Sequence, residues 1–189
     1  MRTGNAEASL RELATACEVT PPTLRHYLGV RAGASEAALQ AAHRGGESHI
    51  AFTVGAELGD VDTALRRVLR YMVEGWVRYG VGRLNTVGIA AGLAHRRLGP
   101  AYIDEILEPM LHSFEARLAR HVATGELVVP DLRVAALQLV SPVVLGLLHQ
   151  NELGGRQCRP LDVDALVDAQ VDAFLRVYAP PAGPDADRA

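Results

Sequence analysis

The sequence predicts an all-α protein, in which a small N-terminal helix-turn-helix domain precedes a larger helical domain. Apolar residues recur at three- and four-residue steps in one segment after another, which places them on one helix face. No strand pattern and no internal repeat is apparent. The chain has 189 residues, 49% of them hydrophobic, and can therefore bury a substantial core. We expect domains at residues 1–46 and 47–179, followed by a disordered Pro/Ala/Asp-rich tail at 180–189.

The segment 9–28 predicts two short helices joined by a tight turn. An apolar stripe on the first helix is formed by Leu10, Leu13, Ala14 and Cys17. The inward face of the second is formed by Leu24, Tyr27 and Leu28. Thr20 is a suitable N-cap, and Pro21 stands at the first helical position, where its missing N–H costs nothing. In a helix-turn-helix the second helix enters the major groove of DNA.

The outer side of this second helix carries hydroxyl, guanidinium and imidazole groups, which suit phosphate and base-edge contacts. The candidate contacts there are Thr20, Pro21, Thr23, Arg25 and His26. Glu18 departs from the pattern, because such turns often place glycine at a positive φ, where another residue costs about 1 kcal/mol. An ordinary amphipathic helix pair is the alternative interpretation.

The run from Thr20 to Gly33, TPPTLRHYLGVRAG, and the alanine-rich helix after it resemble the tetracycline-repressor (TetR) family of bacterial transcription regulators. The matching residues are Val19, Thr20, Thr23, Leu24, Tyr27 and Gly29, whereas Arg25, Leu28 and Arg31 replace the usual tyrosine, phenylalanine and lysine. Tyr27 and Arg31 complete the candidate DNA-binding set. Family members begin with a further helix, but only eight residues with little apolar character precede Ser9, so that helix is expected to be short or missing.

Successive helices are expected after Gly33. The first runs from Ser35 to about residue 48, and His49–Gly59 favours loop or frayed helix. The next helix is capped by Asp62 and broken by Gly80 and Gly82, and a short one follows at 83–95. A helix from Gly99-Pro100 to about 123 should be kinked by Pro109 near Ile106, and one from Pro130-Asp131 to about 151 should be bent by Pro142. The last helix runs from Pro160 and Asp162 to about 178.

The helix from about residue 131 is apolar on nearly all of its faces. One face could therefore pack on the rest of the helical domain, and another could pack on a second copy of the protein. The resemblance implies a homodimer through the last two long helices, at about 131–154 and 162–178. A central core helix in a monomer is the alternative. The apolar stretch at 134–148 is too short to span a membrane.

Large apolar groups and scattered polar groups in the middle helices suit a mostly apolar pocket for a small molecule. The candidate ligand-binding residues are Trp76, Tyr79, Asn85, His95, Tyr102, Met110, Phe114 and His149. Plain core packing is the alternative for each aromatic, and a surface or capping role for each histidine. The resemblance implies that such a ligand releases the protein from DNA.

Composition and motifs exclude several classes of function. No phosphate-binding loop, HExxH helix or GxSxG elbow is present, so neither an enzyme nor a cofactor or metal is expected. Residues 1–46 carry five arginines against four acidic residues within a chain of net charge −3, so non-specific DNA affinity should be modest and salt dependent.

These observations predict a cytoplasmic, sequence-specific DNA-binding regulator that a small apolar effector releases from its operator. The alternative is a helical small-molecule-binding or interaction protein whose DNA-binding arm is truncated and inactive.

Overall fold

The computed structural model describes residues 59–94 and 96–181, together with Arg11, Thr15, Thr20, Pro22, Ala41 and Thr53. In both continuous ranges every regular element is helical, which confirms the predicted all-α class. Numbered from the first helix described in full, the elements are α1 (Val61–Arg78), α2 (Val81–Ala94), α3 (Leu98–Tyr102), α4 (Glu108–Ala123), α5 (Leu132–Leu147), α6 (Gly155–Cys158) and α7 (Val163–Tyr178). Two π-helical turns, Ile103–Leu107 and Leu148–Glu152, join α3 to α4 and extend α5.

Aspartates cap three of the long helices, α1, α5 and α7. Asp131 and Asp162 accept hydrogen bonds from the backbone N–H three residues on, each at 3.0 Å, as the sequence predicts. The prediction for α1 was wrong by two residues: Asp60, with extended backbone, accepts from Thr63 N at 2.9 Å. Asp62 lies inside the first turn, where its carboxylate pairs with Arg66 instead.

Gly80 ends α1 with a φ of +78°, a left-handed conformation that favours glycine. Gly82, also predicted to break the helix, lies instead inside the first turn of α2 and is buried. The two glycines differ because only Gly80 sits in the turn, whereas Gly82 allows α2 to approach α1 closely.

The helix path is irregular just before Pro109, as the missing N–H of proline predicts. The backbone is π-helical over Ile103–Leu107, and regular α-helix resumes with Pro109 in its first turn. Pro142, by contrast, lies within α5, which stays α-helical from end to end.

The core forms where α5 packs against α1, α4 and α7. Its fully buried side chains include Leu65, Leu69, Leu118, Leu139, Val143 and Val167. Burying one leucine of this kind stabilises the fold by roughly 1.5–3 kcal/mol. The α2 helix lies outside this core, against α3 and the second π-helical turn.

Two described features lie outside the long helices. Thr53 is helical and buried, within the segment for which loop or frayed helix is expected. Cys158 ends the short helix α6, which begins directly after Gly154, a residue with a positive φ of 78°.

Candidate functional site

Asn85 and Tyr102 form a buried hydrogen-bonded pair between α2 and α3. The phenolic hydroxyl donates to Oδ1 of Asn85 at 2.6 Å, and Nδ2 of Asn85 donates to the carbonyl of Val81 at 2.8 Å. Burial raises the pKa of Tyr102 to about 12, so the phenol keeps its proton at neutral pH. Gly88 lies against the tyrosine ring, and a Cβ there would overlap with it. The structure thus brings two predicted pocket residues together, in contact with each other.

Trp76 lies in the core with 4% of its surface exposed, and its indole N–H has no hydrogen-bond partner among the residues that the structure describes. Nε1 of Trp76 lies beside the place where Gly82 lacks a side chain. A Cβ on Gly82 would overlap with both Nε1 of Trp76 and Oε1 of Glu152. Glu152, the last residue of the second π-helical turn, makes no hydrogen bond with the described residues. A buried donor and a carboxylate therefore lie side by side where α1, α2 and the π-helical turn meet.

The second π-helical turn carries four consecutive polar residues, of which Gln150 is the most buried. Nε2 of Gln150 donates to the carbonyl of Arg159 at 3.0 Å and lies 2.8 Å from Nδ1 of His149. Gly155 leaves space for His149, since a Cβ there would overlap with the imidazole. Turns of this kind are rare and often occur at functional sites. The sequence offers Gln150 as a further polar contact of the pocket, but it does not point to Glu152, because the sequence does not show a π-helical turn.

The remaining predicted pocket residues are spread over the molecule. Phe114 is buried in the core that contains Trp76, and Met110 packs on its edge. Tyr79 is 58% exposed at the end of α1. His95 lies outside the described residues. Contact of any of these eight residues with a ligand stays a prediction.

A separate surface cavity of about 530 Å³ lies along the outer face of α1. Its lining is strongly charged and consists of Asp62, Thr63, Arg66, Arg67, Arg70, Tyr71 and Glu74. Arg66 pairs there with Asp62 and, across the helix interface, with Asp168 and Asp172 of α7. Hydrogen bonds from Arg66 hold the pKa of Asp62 below its usual value. Ion pairs of Arg66 and Arg70 with these aspartates therefore join α1 to α7. This charged cavity was not predicted from the sequence, because the charged face of one helix does not show which other helix it contacts.

A buried polar cluster joins the end of α4 to the start of α1. Nδ1 of fully buried His121 lies 2.8 Å from Glu126, which also accepts from Thr124 Oγ1 and from the backbone N–H of Val61. These hydrogen bonds, led by that from His121, hold the pKa of Glu126 below its usual value. Nε2 of His121 has no hydrogen-bond partner in the described part of the chain. The cluster fixes the first turn of α1 against the body.

Arg117, one helical turn before His121, is also almost completely buried. Its Nε donates to the carbonyl of Thr53 at 2.6 Å. Burial lowers the pKa of Arg117 most, and the positive charges of Arg120 and Arg67 lower it further. Thr53 belongs to the segment that leads from the predicted DNA-binding domain into α1. The body therefore holds this segment through a buried guanidinium.

An apolar stripe on α5 faces away from the body. Val134, Leu137 and Leu145 are 45%, 40% and 66% exposed, with Ser141 exposed between them at helical spacing. The small side chains Ala165 and Ala169 are exposed on α7. The two helices that carry these residues are those on which the sequence places the dimer interface.

Of the predicted DNA-binding residues, only Thr20 is described. It is exposed and outside helical structure, whereas Pro22, Arg11 and Thr15 are helical. Pro21, Thr23, Arg25, His26, Tyr27 and Arg31 lie outside the described residues, so the DNA-contact set stays a prediction.

The run Leu132–Glu152, with 21 residues and a mean hydropathy of 1.6, meets the length and composition of a membrane span. It is longer than the 15-residue stretch considered from the sequence, but core helices of soluble proteins meet the same criterion. Within the described ranges, no three His, Cys, Asp or Glu side chains are placed to hold a metal ion.

Residues 63–180 match the model of the AefR-like transcriptional repressor C-terminal domain of the TetR group. A TetR-family transcriptional regulator of Mesorhizobium loti superimposes with a TM-score of 0.73 at 18% identity, covering 92% of this chain and 87% of that one. The flavonoid-responsive regulator FrrA superimposes with a TM-score of 0.68 at 19% identity, covering 95% of this chain and 91% of that one. The TetR family transcription regulator SCO0332 superimposes with a TM-score of 0.66 at 25% identity, covering 93% of this chain and 89% of that one. No curated protein sequence matches the chain significantly.

Proposed function

Because the chain belongs to the TetR family of transcriptional regulators, we propose that it is a homodimeric repressor that leaves its operator when a small molecule binds. Membership of the family makes the chain a regulator of transcription. The dimer, the operator contacts and the effector are the parts proposed for this chain.

The exposed apolar stripe of α5 is the main observation that supports the proposed dimer. A lone subunit leaves Val134, Leu137 and Leu145 in water on a helix whose opposite face is fully buried. Pairing with the same stripe of a second copy would bury these side chains symmetrically. The exposed alanines of α7 would let the partner helices approach closely. The interface is therefore proposed at about 131–154 and 162–178.

A charge placed on this stripe tests the dimer. Leu137→Arg should give a monomer in sedimentation at micromolar concentration, while circular dichroism stays unchanged, since the side chain already faces water. Leu93→Arg is the matched control, because Leu93 is an exposed leucine on α2, away from the stripe. A wild-type protein that sediments as a monomer contradicts the proposal.

Operator recognition is proposed for the second helix of the N-terminal domain. Arg25→Ala should weaken operator binding by about 1–3 kcal/mol and relax specificity at one base position. A gel shift with the flanking intergenic DNA measures this, with the exposed Arg176→Ala of α7 as control. If wild-type protein shows no preference for any such DNA, the alternative of a helical binding protein with an inactive arm is correct.

Effector release requires that the ligand favour one arrangement of the DNA-binding domains over another. The hydrogen bond from Arg117 to Thr53 supports a mechanical route, because α4 of the body directly holds the segment that leads from those domains. The proposed ligand site lies among Trp76, Asn85, Tyr102 and the second π-helical turn.

A further inference from the structure

We propose that Trp76 and Glu152 form a two-point anchor for one hydroxyl group of an apolar ligand. This inference rests on the proposed effector site and names the chemical class of its ligand. Glu152 is not among the residues that the sequence pattern selects.

Within the described residues, neither anchor group has a hydrogen-bond partner. The indole N–H of Trp76 is buried there without an acceptor, and Glu152 makes no hydrogen bond with the same residues. A buried N–H that stays unsatisfied destabilises the fold, so a group that accepts a hydrogen bond from it gains more than it would in water. The absence of a side chain at Gly82 is what allows the two groups to lie together, since a Cβ would overlap with both.

The pair selects its ligand by donor and acceptor count. Trp76 can only donate, whereas an ionised Glu152 can only accept. A single hydroxyl oxygen accepts from the indole and donates its own proton to the carboxylate. A protonated amine has no lone pair for Trp76, an ether has no proton for Glu152, and a ligand carboxylate is repelled by the like charge.

The rest of the ligand should be apolar. The indole belongs to the apolar core cluster that also includes Phe114 and Leu147. Glu152 is partly exposed, and the next residue, Leu153, is an exposed leucine. These features fit an alicyclic or aromatic alcohol whose ring lies against the core and whose hydroxyl meets the pair.

Trp76 is the sole tryptophan of the chain, so its fluorescence reports on the site directly. The probes are 2-decalol, 2-methoxydecalin, protonated 2-aminodecalin and decalin-2-carboxylate, which share one ring system and do not absorb with tryptophan. We expect 2-decalol to change the emission and to bind about tenfold more tightly than the other three, as one hydrogen bond to a charged group supports.

Two variants at Glu152 locate the effect. Glu152→Met should reduce 2-decalol affinity to that of the ether, whereas Glu152→Gln, which keeps an acceptor, should retain most of it. Glu74→Met is the control, because this half-exposed carboxylate of α1 pairs with Arg78. Equal affinity for all four probes, or a crystal structure of the soaked protein with only water between Trp76 and Glu152, overturns the anchor.

Operator binding separates this inference from the proposed function. If 2-decalol binds at Trp76 and leaves operator affinity unchanged, the anchor stands and effector-controlled repression fails. If other small molecules release the operator while 2-decalol does not bind, the anchor is wrong and the regulation stands.

Discussion

The hydroxyl of Tyr102 donates to Oδ1 of Asn85 at 2.6 Å, and this buried hydrogen bond joins α3 to α2 outside the main core. Glycines bring the backbones of the two helices close. Gly92 and Gly99 are in near contact, with 3.1 Å between a Cβ built on Gly92 and the Cα of Gly99. The stability of this pair of helices should therefore respond to changes at the buried hydrogen bond and at these glycines.

Tyr102→Phe should lower the free energy of unfolding by about 1–3 kcal/mol, because the carbonyl oxygen of Asn85 stays buried without its donor. Urea denaturation measures this. Tyr79→Phe, at an exposed tyrosine, should change stability by less than about 0.5 kcal/mol. An equal effect of both substitutions would contradict the importance of the buried pair.

Gly88→Ala should destabilise the protein by about 1–3 kcal/mol, since the added methyl overlaps with the ring of Tyr102. Gly75→Ala provides the comparison within α1. A Cβ there meets only a methyl of Val81 at 3.8 Å, and alanine favours helix by about 0.5–1 kcal/mol. In thermal unfolding, the Tm should fall for Gly88→Ala and rise for Gly75→Ala. A higher Tm for Gly88→Ala would show that α3 can shift to make room for the added methyl group.

Acid should destabilise the protein partly through Glu126. Because the fold holds the pKa of this carboxyl below its ordinary value of 4.5, the ionised group contributes stability above that value. The contribution is lost as the pH falls through the lowered pKa of the folded state. Glu126→Gln should therefore reduce the loss of stability below about pH 5, measured by urea unfolding at several pH values. Glu74→Gln serves as control, and an unchanged pH profile in Glu126→Gln would remove this group from the explanation.

Arg117→Met should cost about 1–3 kcal/mol, since it deletes the hydrogen bond from a buried guanidinium to Thr53. Methionine replaces most of the aliphatic stem, so the loss reports on the polar contact more than on packing. Chemical denaturation gives the magnitude, with Arg120→Met at an exposed position as control. Equal stability of the two variants would mean that the contact with Thr53 is not needed.

Much of the helical layout is predictable from local signals in the chain. Asp131 and Asp162 cap α5 and α7, Gly80 ends α1, and the backbone is irregular ahead of Pro109. Each feature depends on the conformational preference of one residue and its nearest neighbours. Asp60 shows the limit, because two aspartates stand close together and only the backbone conformation decides which one caps.

The candidate site is less predictable. Sequence pattern selects Trp76, Asn85 and Tyr102 by their chemistry, but it does not indicate that Asn85 and Tyr102 satisfy each other while the N–H of Trp76 stays unpaired. Glu152 and Arg117 are missed, since both act through residues distant in the chain.

The sequence by itself determined the all-α class, the helix boundaries set by caps and glycines, and the TetR resemblance, because these depend on short-range periodicity and local backbone preference. Only the tertiary structure decided which polar groups meet. The closeness of Glu152 to Trp76 depends on a π-helical turn and on the missing side chain of Gly82, and the position of Arg117 depends on how α4 packs. Burial and partner choice are properties of the packed whole, so no single segment encodes them.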